Sequence, residues 1–237
     1  MPTKEQIQGV LIEYAETSEF RAKLIEAQQI ISKALETYNK PYVSYSGGKD
    51  SLVVLHLVLQ QAPNILVFHW DYGRYYIPRP IEKEILEIAY SVGVKNLKVA
   101  TSPLYRKLKR KAINVLGREL FGRVIPQLKQ EGYDAVFLGL RKEESIKRKL
   151  RITRGIFYDL PEVWPIQNWS WKDVWSYIFS RQLPYLSVYD VYAPLIGWDK
   201  VRFVTLFDPE FDKLGTSNVD SLLMWRFKHD DLRGSKS

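Results

Sequence analysis

Residues 41–59 read PYVSYSGGKDSLVVLHLVL. An apolar run leads into SGGKDS at 46–51, and a longer apolar run leaves it. The run at 42–45 reads as a buried strand and 50–61 as a helix, so the polar stretch joins a strand end to a helix start. Gly47 and Gly48 accept backbone angles closed to other residues and let a ligand approach main-chain N–H groups. A helix N-terminus adds unpaired N–H donors and partial positive charge, which suit phosphate. Lys49 contributes a full charge and Ser46 and Ser51 contribute hydroxyls, while Asp50 can cap the helix or hold Mg²⁺. Ser44, near the strand end, belongs to the same candidate binding set. A plain Gly-Gly turn beside a surface lysine does not explain so many donors directly ahead of so apolar a helix. The spacing is not that of the Walker A loop, whose glycines stand further apart.

Outward from this loop the pattern alternates. Strand-like runs at 65–70, 97–100 and 135–140 follow the first, with helical periodicity at 80–92 and 113–131 between them. Such alternation implies parallel βαβ units, and near-continuous apolar strands imply a sheet covered on both faces. The expected fold is therefore α/β, a Rossmann-like and mostly parallel sheet with helices on both faces. Residues 3–38 precede it as two helices with a cap at Thr17 and Ser18. WSWKDVWSYIFSRQ, from 169, reads as a helix capped by Ser170 with Asp173 closing a capping box. From about Pro184 periodicity is lost, and an irregular segment is expected.

Composition narrows the function classes. The 237 residues contain 0 cysteines, which removes disulfides, thiolate metal sites, iron–sulfur clusters and cysteine nucleophiles from this chain's chemistry. The net charge of +8 favours anionic partners such as nucleotides, sulfate or nucleic acid. No apolar stretch reaches the length of a membrane span and no signal-peptide layout opens the sequence, so a cytoplasmic protein without membrane contact is expected. The sequence does not set an oligomeric state; a homodimer is compatible with it.

Further candidates follow the later strands. Residues 141–154 hold seven basic residues against two acidic ones. Arg141 follows the fourth strand directly and can reach the same cleft as Lys49, where its planar fork suits phosphate or sulfate oxygens. Arg148 and Arg151 fall on one helical face and are either ligand contacts or solvated charges. Asp71 ends the second strand and can contact a ribose or Mg²⁺, or simply form the Asp-Tyr-Gly turn. His69 and His56 read as packed histidines, and three histidines without clustered carboxylates give no zinc site. YRKLKRK at 105–111, with Arg118 and Arg123, is read as a solvated, flexible connection in preference to a nucleic-acid track. Trp164, Trp169, Trp171 and Trp175 are read as packing residues.

SGGKDS after a strand resembles the pyrophosphate-loop motif of the N-type ATP pyrophosphatases, in the branch holding phosphoadenosine-phosphosulfate (PAPS) reductases, the small subunit of bacterial ATP sulfurylase and eukaryotic-type FAD synthetases. GLRKEES at 139–145 and WPIQNWSWKDVWSYIFSRQLPYLSVYD at 164–190 are similar to two further segments of that branch, and Leu214–Asn218 is weakly similar to a segment of the FAD synthetases. The resemblance implies an adenine nucleotide alpha-hydrolase-like fold, with a helical lead-in at 1–40, a pyrophosphate-loop core at 41–184 and a segment at 185–237 covering the cleft. It implies ATP and Mg²⁺ as cofactors and a small anionic acceptor such as sulfate or FMN. Lys49 and Arg141 would be catalytic, Gly139 would join Ser44, Ser46–Ser51, Asp71 and Arg148 in binding, and Asp50 would hold the metal. Reductases of this branch use a cysteine near the C-terminus, which this chain lacks, so adenylyl transfer is expected in place of thiol-dependent reduction. A non-catalytic sulfonucleotide-binding protein and an ATP-dependent nucleic-acid modifier are the alternatives.

Overall fold

The computed structural model describes residues 3–74, 76–109, 119–144, 146–154 and 160–203. Two helices open the chain, α1 (Lys4–Ala15) and α2 (Ser18–Thr37). Thr3 closes a capping box on α1, and the Thr17 hydroxyl accepts from the Phe20 N–H to start α2. Five parallel strands follow: β1 (Pro41–Ser44), β2 (Leu66–Asp71), β3 (Leu97–Thr101), β4 (Ala135–Phe137) and β5 (Glu162–Val163). Their order across the sheet is β3-β2-β1-β4-β5. Between them lie α3 (Lys49–Leu59), α4 (Arg79–Ser91), α5 (Pro103–Leu108) and α6 (Ile125–Gln130). A π-turn at Leu120–Val124 leads into α6. After β4 come a 3₁₀ turn at Lys142–Glu144 and α7 (Ile146–Arg154); α8 (Trp171–Ser180) and α9 (Val188–Ile196) follow β5.

The arrangement is the Rossmann-like, parallel sheet flanked by helices that the alternating pattern implies. α3 is apolar on every side, and Leu52–Leu55 and Leu57–Leu59 are all buried, so it fills the space between β1, α2 and α8. The Ser170–Asp173 capping box starts α8 as expected. The buried Asp173 also accepts from the Tyr14 hydroxyl at 2.9 Å and from Lys23 at 2.9 and 3.1 Å, tying the first two helices to α8.

Four features differ from the sequence reading. β5 has two residues and carries no periodic signal. β4 ends at Phe137, and Leu138–Arg141 run on as loop. The segment after Pro184 is not irregular throughout: it contains α9, whose nine residues include Pro194 and show no repeat long enough to detect. The basic stretch at 105–111 is not simply a flexible connection, since it is helical as far as Leu108. Residues 110–118, including Arg118, and the Leu214–Asn218 similarity lie outside the described residues. No helix among the described residues is long and apolar enough to cross a membrane.

The chain builds β1, β2 and β3 outward in one direction, then returns to place β4 on the other side of β1. That reversal opens a crevice beyond the carboxyl ends of β1 and β4, where open α/β sheets bind ligands. The loop 45–48 and the loop 138–141 flank it.

Candidate functional site

The SGGKDS loop turns from β1 into α3 through Gly47, whose φ of +83° favours glycine. A Cβ there would also lie 2.5 Å from Ile85 Cγ1, so α4 packs hard against the turn. Gly48 caps α3 through its backbone alone. The Ser51 hydroxyl donates to the Gly48 carbonyl at 2.9 Å and accepts from the Ser46 N–H at 3.2 Å, with the Ser46 hydroxyl 3.1 Å away. These bonds draw both hydroxyls to the mouth of the helix N-terminus. Across the crevice, Gly139 lets the loop after β4 touch the first turn of α3. A Cβ on it would lie 2.6 Å from the Asp50 carbonyl carbon.

A cleft of about 210 Å³ runs from this loop along one face of the sheet. Ser44, Ser46, Gly48, Asp50, Ser51 and Gly139 line its loop end, and Arg148 and Arg151 of α7 line its side. The inner part is apolar, with Phe68, Val136 and Leu138 from the sheet opposed by Leu120, Phe121 and Ile125. Gly47, Lys49, Asp71 and Arg141 lie outside the lining.

Lys49 is 1% exposed, and its ammonium lies 3.0 Å from Asp50 Oδ2. Arg141, also buried, donates from Nε to Asp50 Oδ1 at 2.6 Å and from a terminal nitrogen to Glu143 at 2.8 Å. Burial would raise the Asp50 carboxyl pKa, but Arg141 and Lys49 outweigh it and hold the pKa well below the usual carboxylate range. Burial pulls the Lys49 ammonium pKa down, with Asp50 opposing. Two full positive charges already stand against this carboxylate and oppose a divalent cation beside them, so the arrangement does not fit Asp50 as a Mg²⁺ ligand. Among the described residues no group of three or more His, Asp or Glu side chains could hold a metal.

Asp71 stands apart from the cleft. It accepts two bonds from Arg79, both 2.8 Å, and one from the Gly73 N–H at 2.7 Å, which is the Asp-Tyr-Gly turn geometry. His69 is packed between the Tyr45 carbonyl and Glu82, each at 2.8 Å, and His56 meets the Tyr177 hydroxyl at 2.8 Å.

The structure also brings in residues that the sequence did not single out. Glu144 follows Arg141 by three positions and its carboxylate pairs with Arg148 and, at 2.6 Å, with Arg202. The buried Tyr189 hydroxyl accepts from the Lys49 N–H at 3.0 Å and from the Phe203 N–H at 3.3 Å, so one phenol joins the loop to the C-terminal segment. An aromatic group around Trp175, with Phe179, Tyr185 and Trp198, fixes that phenol; the Tyr189 and Trp175 ring centroids are 5.1 Å apart. Arg202 and Phe203 complete the cleft. Lys49, Arg141, Arg148 and Arg202 here interleave with the carboxylates of Asp50, Glu143 and Glu144.

The chain belongs to the family described as the phosphoadenosine phosphosulfate reductase domain, which matches residues 40–217. An adenosine 5'-phosphosulfate reductase of Bacillus mycoides (strain KBAB4) is 26% identical over 190 residues, covering 73% of this chain and 78% of that protein. One from Bacillus cereus (strain B4264) is 24% identical over 216 residues, covering 84% and 88%. Among solved structures, NMN synthetase from Francisella tularensis matches with a TM-score of 0.54 at 12% identity, over 92% of this chain and 96% of that one. At that identity the likeness concerns the fold, which is Rossmann-like and of the adenine nucleotide alpha-hydrolase type.

Proposed function

We propose that the cleft binds ATP with its β- and γ-phosphates at Ser46–Ser51, and that the protein transfers the adenylyl group to a small anionic acceptor such as sulfate or FMN. An acceptor oxygen forms the new bond to the α-phosphorus, the bond from that phosphorus to the bridging oxygen breaks, and pyrophosphate leaves into the loop. The observation that carries the reading is the pair of serine hydroxyls gathered at the N-terminus of a buried helix, at the reversal of strand order. Positioning and charge neutralisation supply most of the catalysis in such transfers. Lys49 and Arg141 act here from behind the lining, by holding Asp50 at the loop end of the cleft. Mg²⁺ would travel on the nucleotide's own phosphates. The adenosine phosphosulfate in the relatives' names is itself an adenine nucleotide, but with 0 cysteines this chain supplies no thiolate for a reduction.

The test is pyrophosphate release from ATP with each acceptor, alongside thermal melting with ATP·Mg²⁺ for the wild type and Lys49→Ala. ATP at one hundred times its Kd stabilises by about 2.7 kcal/mol, or roughly 5–11 °C for a chain of this size. Acceptor-dependent pyrophosphate release together with that shift supports the reading; absence of both overturns it. A second reading, a non-catalytic binder of adenosine phosphosulfates, is favoured by the engagement of Lys49 and Arg141 with Asp50. It predicts stabilisation by sulfonucleotides alone.

A further inference from the structure

Polar groups also line the inner, apolar end of the cleft. Tyr42 is 2% exposed and lines the cleft from β1, on the same sheet face as Ser44 and Phe68. Its ring meets Phe68 and Tyr133 edge-on, and among the described residues its hydroxyl makes no hydrogen bond. The ring is buried while the residue lines the cleft, and tyrosines set in an apolar wall usually find a partner for the hydroxyl. Burial, and then the charge of Glu162, keep this phenol protonated.

Glu162 lines the same end from β5. Arg151 binds it at 2.6 and 3.1 Å and the Trp164 indole N–H at 3.1 Å, an arrangement that fixes it in place. Its Oε2 accepts two of those bonds and Oε1 only one, so Oε1 retains acceptor capacity. The Glu162 carboxylate favours a neutral N–H donor and repels a carbonyl oxygen, while the Tyr42 O–H beside it suits an unprotonated ring nitrogen.

The loop hydroxyls stand at the other end. From Tyr42 to Ser46 the strand direction covers about 13 Å at the usual rise per residue, comparable with the reach of a nucleotide from phosphorus to the outer edge of its base. Phe68, Leu138 and Leu120 supply flat apolar walls between the two ends. We propose that Tyr42 and Glu162 are the specificity residues of the nucleotide site, selecting a 6-amino purine over a 6-oxo purine, Glu162 by accepting from its exocyclic amine and Tyr42 by donating to its unprotonated N1. The inference rests on the nucleotide reading above and adds which atoms read the base.

The test titrates the full chain with ATP and with inosine triphosphate (ITP), which replaces the amine by an oxo group, using calorimetry on the wild type, Tyr42→Phe and Glu162→Gln. The wild type is expected to bind ATP at least tenfold tighter than ITP. Tyr42→Phe keeps the ring and its packing, and is expected to cut that ratio at least fivefold, with the loss on the ATP side. Glu162→Gln adds an amide N–H₂ that can donate to the oxo group, so ITP should gain on ATP. This gain cannot come from unfolding. Unchanged ratios in both variants, with the wild type binding ATP, overturn the assignment of Tyr42 and Glu162 but leave the nucleotide reading standing. Failure of the wild type to bind either nucleotide overturns both.

Discussion

Asp50 places one carboxylate between two buried cations, and its loss has a definite consequence. In Asp50→Asn, Lys49 and Arg141 would face each other across a neutral amide. Breaking a buried ion pair in this way costs about 3–5 kcal/mol, or roughly 6–20 °C in melting temperature for a chain of this length. Lys49→Met removes one of two cations and leaves Asp50 still bound by Arg141 at 2.6 Å. It should therefore cost clearly less than Asp50→Asn, and thermal melts of the two variants compare them directly. The loop itself was legible because its signal is local: paired glycines and polar residues stand between two apolar runs. The partners of its side chains were not, because nothing in a six-residue motif says that Lys49 turns inward onto its neighbour. Tyr189, 140 positions from the amide it accepts from, gives no local sign of that contact either.

Among the elements, α3 and the loops that abut it bear the tightest constraints. Gly139→Ala would drive a methyl group into the backbone of Asp50 and Ser51, with contacts at 2.6 and 2.7 Å. Forcing them apart costs about 1–3 kcal/mol, and the separation of the two loops should abolish nucleotide stabilisation in the same melting assay. Gly48→Ala is the control. Its φ is −72° and its nearest neighbour 3.5 Å away, so it should melt close to the wild type. At the start of α8, Ser170→Ala removes the cap and should cost about 1 kcal/mol, read in a urea titration as a lower midpoint with unchanged slope. Elements of ten or more residues with clear caps, such as α2 and α8, stood out in the sequence. β5 and α9 did not, since two residues fix no period and the helix Val188–Ile196 is short and carries Pro194.

For the molecule as a whole, acid should be the main threat. Burial raises the carboxyl pKa of Asp50, Asp71 and Asp173, yet in each case partners prevail and lower it: Arg141 and Lys49 for Asp50, Arg79 for Asp71, and the Ser170 N–H with Lys23 for Asp173. Their contribution is complete above the unfolded aspartate value of about 3.9 and drains as pH falls toward the folded values. Melting temperature should stay nearly level from pH 7 to 5 and drop steeply below about pH 4, with Asp173→Asn starting lower and falling less. A drop of equal depth in that variant would remove Asp173 from the account. The central position of β1 also has a bearing on synthesis. Its partner β2 follows within about 25 residues, but β4, which covers its other edge, begins at Ala135. At a ribosomal pace of about 5–20 residues per second, the nascent chain carries a half-paired, apolar central strand for several seconds. During that interval, and not in the finished fold, its free edge is open to pairing with another chain.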